Sequence, residues 1–275
     1  MSKTDFIVSG FELGCHDLEK MTVFYERSLR LNVLHKTAVT VSFGFPFQEA
    51  LLTLYRTATP ASSCSRRLDH LAFRVDSREV LGMFLHHLIL TQTPILGAID
   101  HGVSEAIYLE DPEHNRIEVT CDKENPEDPA PSSHHEQTHE PFDYAGVFYA
   151  SSNLECPFAF PDSTVIAHVS LNVTDLNGQT AFYTEIMRLE VGYESKKTKI
   201  HIGNRANPHL LSLKPIKAKS CDTGQCRLVF TYQDCVVLQN VIKRLQDAGK
   251  PVSETESGYL TMDSEANLIH LRLAT

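Results

Sequence analysis

The sequence predicts an α+β protein: four βαβββ modules paired into two domains with cupped mixed sheets. Three observations predict it. A strand-then-helix pattern recurs at matched spacing, with Gly10-Phe-Glu-Leu-Gly-Cys-His-Asp-Leu18 ahead of Phe24, Tyr25 and Leu29, and His168-Val-Ser-Leu-Asn-Val-Thr-Asp-Leu176 ahead of Phe182, Tyr183 and Met187. A second pattern also occurs twice: Asp69 to Asp76 leads into a helix from Ser77 to about Leu90, and Cys226 to Tyr232 leads into one from about Val236 to Ala248. A closing turn is repeated as Asp111-Pro-Glu-His-Asn-Arg-Ile-Glu118 and Asp263-Ser-Glu-Ala-Asn-Leu-Ile-His270. Recurrence at this period marks one supersecondary unit used four times, and a unit of one helix and four strands buries its faces only against another.

The modules span about residues 5–58, 67–122, 164–216 and 225–274. Modules one and two are expected to form an N-terminal domain over 1–123, and modules three and four a C-terminal domain over 164–275. Residues 124–163 join them and differ in composition, being rich in Pro, acidic residues and His. The first half of this linker, Glu124 to Pro141, reads as mobile; the aromatic second half, Phe142 to Phe160, reads as packing along a domain surface.

With 275 residues, 42% of them hydrophobic, the chain can fill two modest cores. A formal charge of −10 with no basic stripe excludes nucleic acid as the expected partner. The start, MSKTDFIVSGFELG, lacks a basic and apolar leader, and no run approaches the ~20 apolar residues of a spanning helix. No membrane partner and a cytoplasmic location are therefore expected. Seven scattered cysteines, odd in number and without a C-x-x-C pair, read as reduced thiols; Cys221 and Cys226 flank a Gly-containing turn but lack the second pair a metal clip needs.

Strand parity locates the chemistry. Ser104 to Glu110 and Arg116 to Cys121 alternate around the turn residues Asp111 to Asn115, which places Tyr108 opposite Glu118 with Cβ atoms roughly 4.5–5.5 Å apart. Ile107, Leu109, Ile117 and Val119 take the other face. His70, Ala72 and Arg74 share one face of their strand, as do His168, Ser170 and Asn172 of theirs, and both faces look into the cup. His70, His168 and Glu118 thus match the two-histidine, one-carboxylate facial arrangement that leaves positions open on Fe(II), provided modules two and three share a cup within the chain. Gly10, Arg227 and His270 stand at the equivalent positions of modules one and four, so those modules are expected to be metal-free. His86 and His87 read as helix-edge residues, His134, His135 and His139 as linker residues, and His16, His35 and His201 stand without a constellation.

The βαβββ repeat, the D-L-x-x-x-x-x-F-Y signature of modules one and three, and the S-E-A-I-Y-L-x-D-P-x-x-N-x-I-E run of module two resemble the vicinal oxygen chelate superfamily of glyoxalases, bleomycin-resistance proteins and extradiol dioxygenases. The two-domain chain is similar to the catechol 2,3-dioxygenase group. The resemblance implies glyoxalase/dioxygenase-like domains, Fe(II) with Mn(II) as the alternative, and an aromatic diol and O₂ as small-molecule partners in aromatic catabolism. It also implies that Tyr108 and His101 hold substrate oxygens and that His209 serves as acid/base. Family members commonly assemble, so a homo-oligomer is compatible with it. Two departures stand out: His114 occupies a loop position usually held by Gly, and the family's His-rich run is reduced to Asn207, Pro208 and His209. A glyoxalase-like metal-dependent lyase or isomerase would call for a second carboxylate, which Leu210 to Lys214 does not offer; a non-catalytic, resistance-type binder would carry no stoichiometric metal.

Overall fold

The computed structural model describes residues 6–58, 67–123, 141–151, 158–195, 199–217 and 226–274. Residues 124–140 of the expected linker, with His134, His135 and His139, lie outside them, as do Cys64, Cys156 and Cys221.

Module one runs β1 (Phe6–Cys15), α1 (Leu18–Arg27), β2 (Asn32–Lys36), β3 (Thr40–Gly44) and β4 (Leu52–Arg56). Module two follows with β5 (Leu68–Val75), α2 (Arg78–Leu90), β6 (Gly97–Asp100), β7 (Ser104–Glu110) and β8 (Arg116–Asp122). After a short α3 (Tyr144–Ala150), module three has β9 (Val165–Val173), α4 (Leu176–Ala181) with a π-helical turn over Phe182–Ile186, β10 (Glu190–Ser195), β11 (Lys199–Gly203) and β12 (Leu211–Pro215). Module four closes the chain with β13 (Cys226–Tyr232), α5 (Cys235–Asp247), β14 (Ser253–Thr255), β15 (Gly258–Met262) and β16 (Leu268–Leu273). Every module opens its helix with the same device. Asp17, Ser77, Asp175 and Asp234 accept a hydrogen bond from a backbone N–H two or three residues on, satisfying a donor the first turn leaves free. Among the described residues no helix is long and apolar enough to cross a membrane.

The strands form two eight-stranded mixed sheets, β14-β15-β16-β13-β1-β4-β3-β2 and β10-β11-β12-β9-β5-β8-β7-β6. In each, the first strands of two modules pair antiparallel at the centre, β1 with β13 and β5 with β9, and each carries the last strand of its own module in parallel on its other side. Module one thus joins module four, and module two joins module three within the chain. Both sheets cross the expected division into 1–123 and 164–275. Sequence repetition establishes that a module needs a partner edge but leaves open which of three others supplies it.

Consecutive modules meet instead through the repeated turn. Asp111 accepts hydrogen bonds from the backbone N–H groups of Glu113 and Asn115 and from the Asn115 amide, and the Tyr25 hydroxyl of module one donates to it at 3.0 Å. Glu113 accepts from the N–H groups of His16 and Asp17, both at 2.8 Å. Module four repeats this: Tyr183 donates to Asp263 at 3.0 Å, and Glu265 accepts from Thr174 and Asp175 of module three. The F-Y and D-x-E-x-N signatures are therefore two halves of one staple. His114 and Ala266 sit at φ 64° in the two copies of this turn, the left-handed region that favours Gly.

Apolar side chains on the outer faces of the sheets pack beneath the helices. Leu71, Phe73 and Val75 of β5 are buried with Leu81, Phe84 and Leu85 of α2, while Met21 and Tyr25 of α1 are buried with Phe43 and Leu54. The end of the linker's aromatic second half is drawn in further than a surface strap. Phe158 and Phe160 are buried, with ring centroids 5.2 and 5.6 Å from Phe84. α3 lies against α2 where Gly82 permits it, since a Cβ there would meet the Val147 carbonyl. His86 stacks on Phe148 at 3.6 Å, and His87 bonds the Arg27 carbonyl at 3.0 Å.

Candidate metal centre

The inner face of the second sheet collects its polar side chains along a row set by strand register. β5 places Ala72 beside His168 of β9 and Glu118 of β8, and Glu118 faces Tyr108 of β7. His70 lies beside Ser170, which neighbours Ser212 of β12, which neighbours His201 of β11. Apolar residues alternate with these on the helix-covered face, which is why the site is polar on a strand that is otherwise core.

His70, Glu118 and His168, all buried, offer three ligand atoms within 4.8 Å of one another. The Nε2 atoms of His70 and His168 are 2.8 Å apart and lie 3.2 and 3.5 Å from Glu118 Oε2. Two imidazole lone pairs cannot face each other at that separation without a proton or a cation between them. Burial pushes the Glu118 carboxyl upward, but His168 and His70 outweigh it and hold the group well below the usual carboxylate range. Burial likewise disfavours charge on both imidazoles; it prevails at His168, which is lowered, whereas Asp69 and Glu118 overcome it at His70, which is raised. Two imidazole nitrogens and one carboxylate oxygen converging in this way suit a divalent first-row ion.

An outer shell orients the donors. The register of β5 against β9 shifts between Leu68 and His70, and this irregularity brings Asp69 to the cup beside His70 despite its adjacent place in sequence. Asp69 accepts from His70 Nδ1 at 3.1 Å, from Ser170 at 3.3 Å and from the Lys214 ammonium at 2.8 Å. A carboxylate on the far nitrogen fixes the tautomer that presents Nε2 to a metal. Strict alternation points Asp69 away from the cup, so parity alone misses it.

Of the other expected residues, His101 follows β6 and its Nε2 is 3.0 Å from the Tyr108 hydroxyl. Burial and the Glu118 carboxylate push the Tyr108 phenol upward, so it stays a hydroxyl near neutral pH. His209, in the β11–β12 connection, stacks on His168 with ring centroids 4.0 Å apart. Its Nε2 is 2.7 Å from Ser212 Oγ, which is 3.0 Å from His201 Nδ1. Burial, then His168 and His201, hold His209 well below the ordinary histidine range, and burial takes His201 down to about 3. His201 therefore belongs to a constellation after all. β11 turns it to the cup in register with Ser212, a placement set by the order and register of β11, β12 and β9 within module three. His16 and His35 are outside the site. Cys226, half of the candidate clip, is buried on β13; its partner Cys221 is outside the described residues. A cavity of about 290 Å³ opens over the centre between His101, Glu118, His168, His209, Arg74 and Thr120.

The family model for the Glyoxalase/Bleomycin resistance protein/Dioxygenase superfamily matches residues 7–119. A catechol-2,3-dioxygenase of Bacillus subtilis (strain 168) is 27% identical over 267 residues, which is 92% of each chain. Among solved structures, one from Bacillus subtilis subsp. subtilis str. 168 provisionally called a dioxygenase superposes with a TM-score of 0.67 at 12% identity, covering 99% of this chain and 86% of that one. Glyoxalase I from Zea mays gives 0.60 at 11% identity over 97% and 92%. At these identities the solved structures speak for the fold.

Proposed function

From the match of residues 7–119 to the glyoxalase/bleomycin resistance protein/dioxygenase superfamily and the likeness to a catechol-2,3-dioxygenase, we propose that this chain is a metal-dependent extradiol ring-cleaving dioxygenase of that superfamily, acting on a catechol-type diol with O₂. The observation that carries the reading is the convergence of His70, Glu118 and His168 within 4.8 Å, beside a hydroxyl and two further imidazoles. In this reading these three residues hold Fe(II), or Mn(II) as the alternative. A divalent ion so held supplies Lewis acidity toward the vicinal oxygens and redox chemistry toward dioxygen.

The remaining residues bind and move protons. Tyr108 donates from its un-ionised phenol to a substrate oxygen, and His101, 3.0 Å from that phenol, keeps it aimed. His209 is neutral at physiological pH and accepts the proton a diol hydroxyl gives up, later returning it to the cleaved product. Ser212 sits between His209 and His201 and holds the His209 ring in place. Asp69 orients His70. A glyoxalase-like lyase would call for a second carboxylate on β12, where Ser212 and Lys214 face the cup instead.

Metal analysis of protein purified without oxygen, followed by loading with Fe(II) or Mn(II) and a colour assay with catechol and 4-methylcatechol, tests the reading. Stoichiometric metal and a yellow ring-cleavage product are expected. A protein that retains no metal and yields no colour with either ion is a resistance-type binder instead.

A further inference from the structure

Two cavities meet beside the metal centre. The smaller, about 290 Å³, lies over the ligands, and a larger one of about 590 Å³ lies between the two sheets; Arg74, Ala206 and Asn207 line both. The larger is walled by Ile7 and Leu51 of module one, facing Val165, Ile166 and Leu210 of module three. Ile7 and Val165 are 43% and 39% exposed, apolar surface that the fold itself leaves uncovered. Among the described residues of its wall, the charged side chains are Arg74 and Glu49, and both are engaged: Arg74 with Asp122 at 3.4 Å, and Glu49 as acceptor from the Thr231 hydroxyl at 3.2 Å. Val165 and Ile166 precede His168 on β9 by three and two residues, so this wall begins roughly 7–10 Å along the strand from a ligand. Ligand sites span roughly 300–1,000 Å³. A bare diol needs only the smaller space.

We propose that the inter-sheet cavity receives an uncharged, largely apolar substituent of the aromatic diol, so that module one, which carries no metal ligand, helps to choose the substrate. This rests on the ring-cleavage reading above. The diol would lie over His70, Glu118 and His168, and the substituent would pass Arg74 and Asn207 to cover Ile7 and Val165. Removing that apolar surface from water is the source of the selectivity.

The test is calorimetric binding of catechol, 3- and 4-phenylcatechol and 3,4-dihydroxybenzoate to the metal-loaded protein without oxygen, with kcat/KM measured in air. At least one phenylcatechol is expected to bind about tenfold or more tightly than catechol, and 3,4-dihydroxybenzoate no more tightly than catechol. Ile7→Trp and Val165→Trp, which fill the cavity from its rim, are expected to bring the phenylcatechol-to-catechol ratio to within about twofold. Equal affinities in the unaltered protein, or a preference that survives both substitutions, overturns the proposal and leaves ring cleavage standing. Failure of every diol to bind or react overturns ring cleavage and the proposal with it.

Discussion

Where module two places His70 on the inner face of its sheet, module four places Arg227; where module two ends in Glu118, module four ends in His270; and where module three has His168, module one has Gly10. The two sheets share a plan, yet the first turns this cup into an ion-pair cluster. Glu12, opposite Arg227 in the register, accepts from it at 2.5 Å and lies 3.6 Å from His270 and 3.7 Å from Arg272. Arginine keeps its proton and cannot ligate a cation, so it needs a carboxylate partner instead. A third ligand is also barred at Gly10, where a Cβ would press on the Ala50 carbonyl. Positions that converge on a cup floor must be satisfied by something: a salt-bridge cluster in the first sheet and, in the reading proposed above, a metal in the second.

The contrast can be broken most severely at the ligands. His70→Ala or Glu118→Ala is expected to abolish stoichiometric metal binding, read by elemental analysis, whereas Arg227→Ala should leave metal content per chain unchanged. Next comes stability. Glu12→Gln leaves Arg227 poorly paired and should cost about 2–3 kcal/mol in urea melts at pH 7. Burial raises the Glu12 carboxyl, but His270, Arg227 and Arg272 more than reverse this, so its folded-state pKa is depressed. Its contribution is therefore present above the ordinary glutamate range and lost as pH falls through the depressed value. Melts from pH 7 to pH 3 should show a shallower acid limb in Glu12→Gln than in the unaltered protein.

Asp69→Asn probes the other cup without touching a ligand and should weaken metal binding about 10–100-fold in a chelator competition. The two staples provide a control in which the halves should behave alike: Tyr25→Phe and Tyr183→Phe should each cost about 1–2 kcal/mol, because each leaves a buried aspartate short of a donor. The smallest effect is expected at Ala266. Replacing it with Gly relieves the left-handed backbone and should gain up to about 1 kcal/mol in thermal melts, with no change in metal content.

Much of this was legible from residue order. The repeat disclosed the modules, and strand parity put His70, His168 and Glu118 on inward faces, because a period of two is imposed by the backbone itself. Tyr108 opposite Glu118 followed from the turn residues between them. Asp69 was hidden because an irregularity in pairing suspends the alternation that parity relies on. His201 and Ser212 were hidden because their place beside Ser170 depends on the order and register of β11, β12 and β9 within module three, which local pattern does not encode. That modules two and three share a cup within the chain was expected from the ligand set, whereas the pairing of module one with module four was hidden, because pairing of edges is a tertiary choice.

That pairing carries a consequence for how the chain comes to be folded. Sheet pairing ties module one to four and two to three, while the tyrosine staples tie one to two and three to four, so the modules close into a ring with no free end. Phe6, the first described residue, finds its strand partner at Tyr232. Such remote pairing belongs to the slow regime of folding, since long loops must close before the contacts that stabilise them exist. A chain emerging from the ribosome has made His70 and Glu118 long before His168, and β1 must wait, its edge unpaired, until module four has been synthesised.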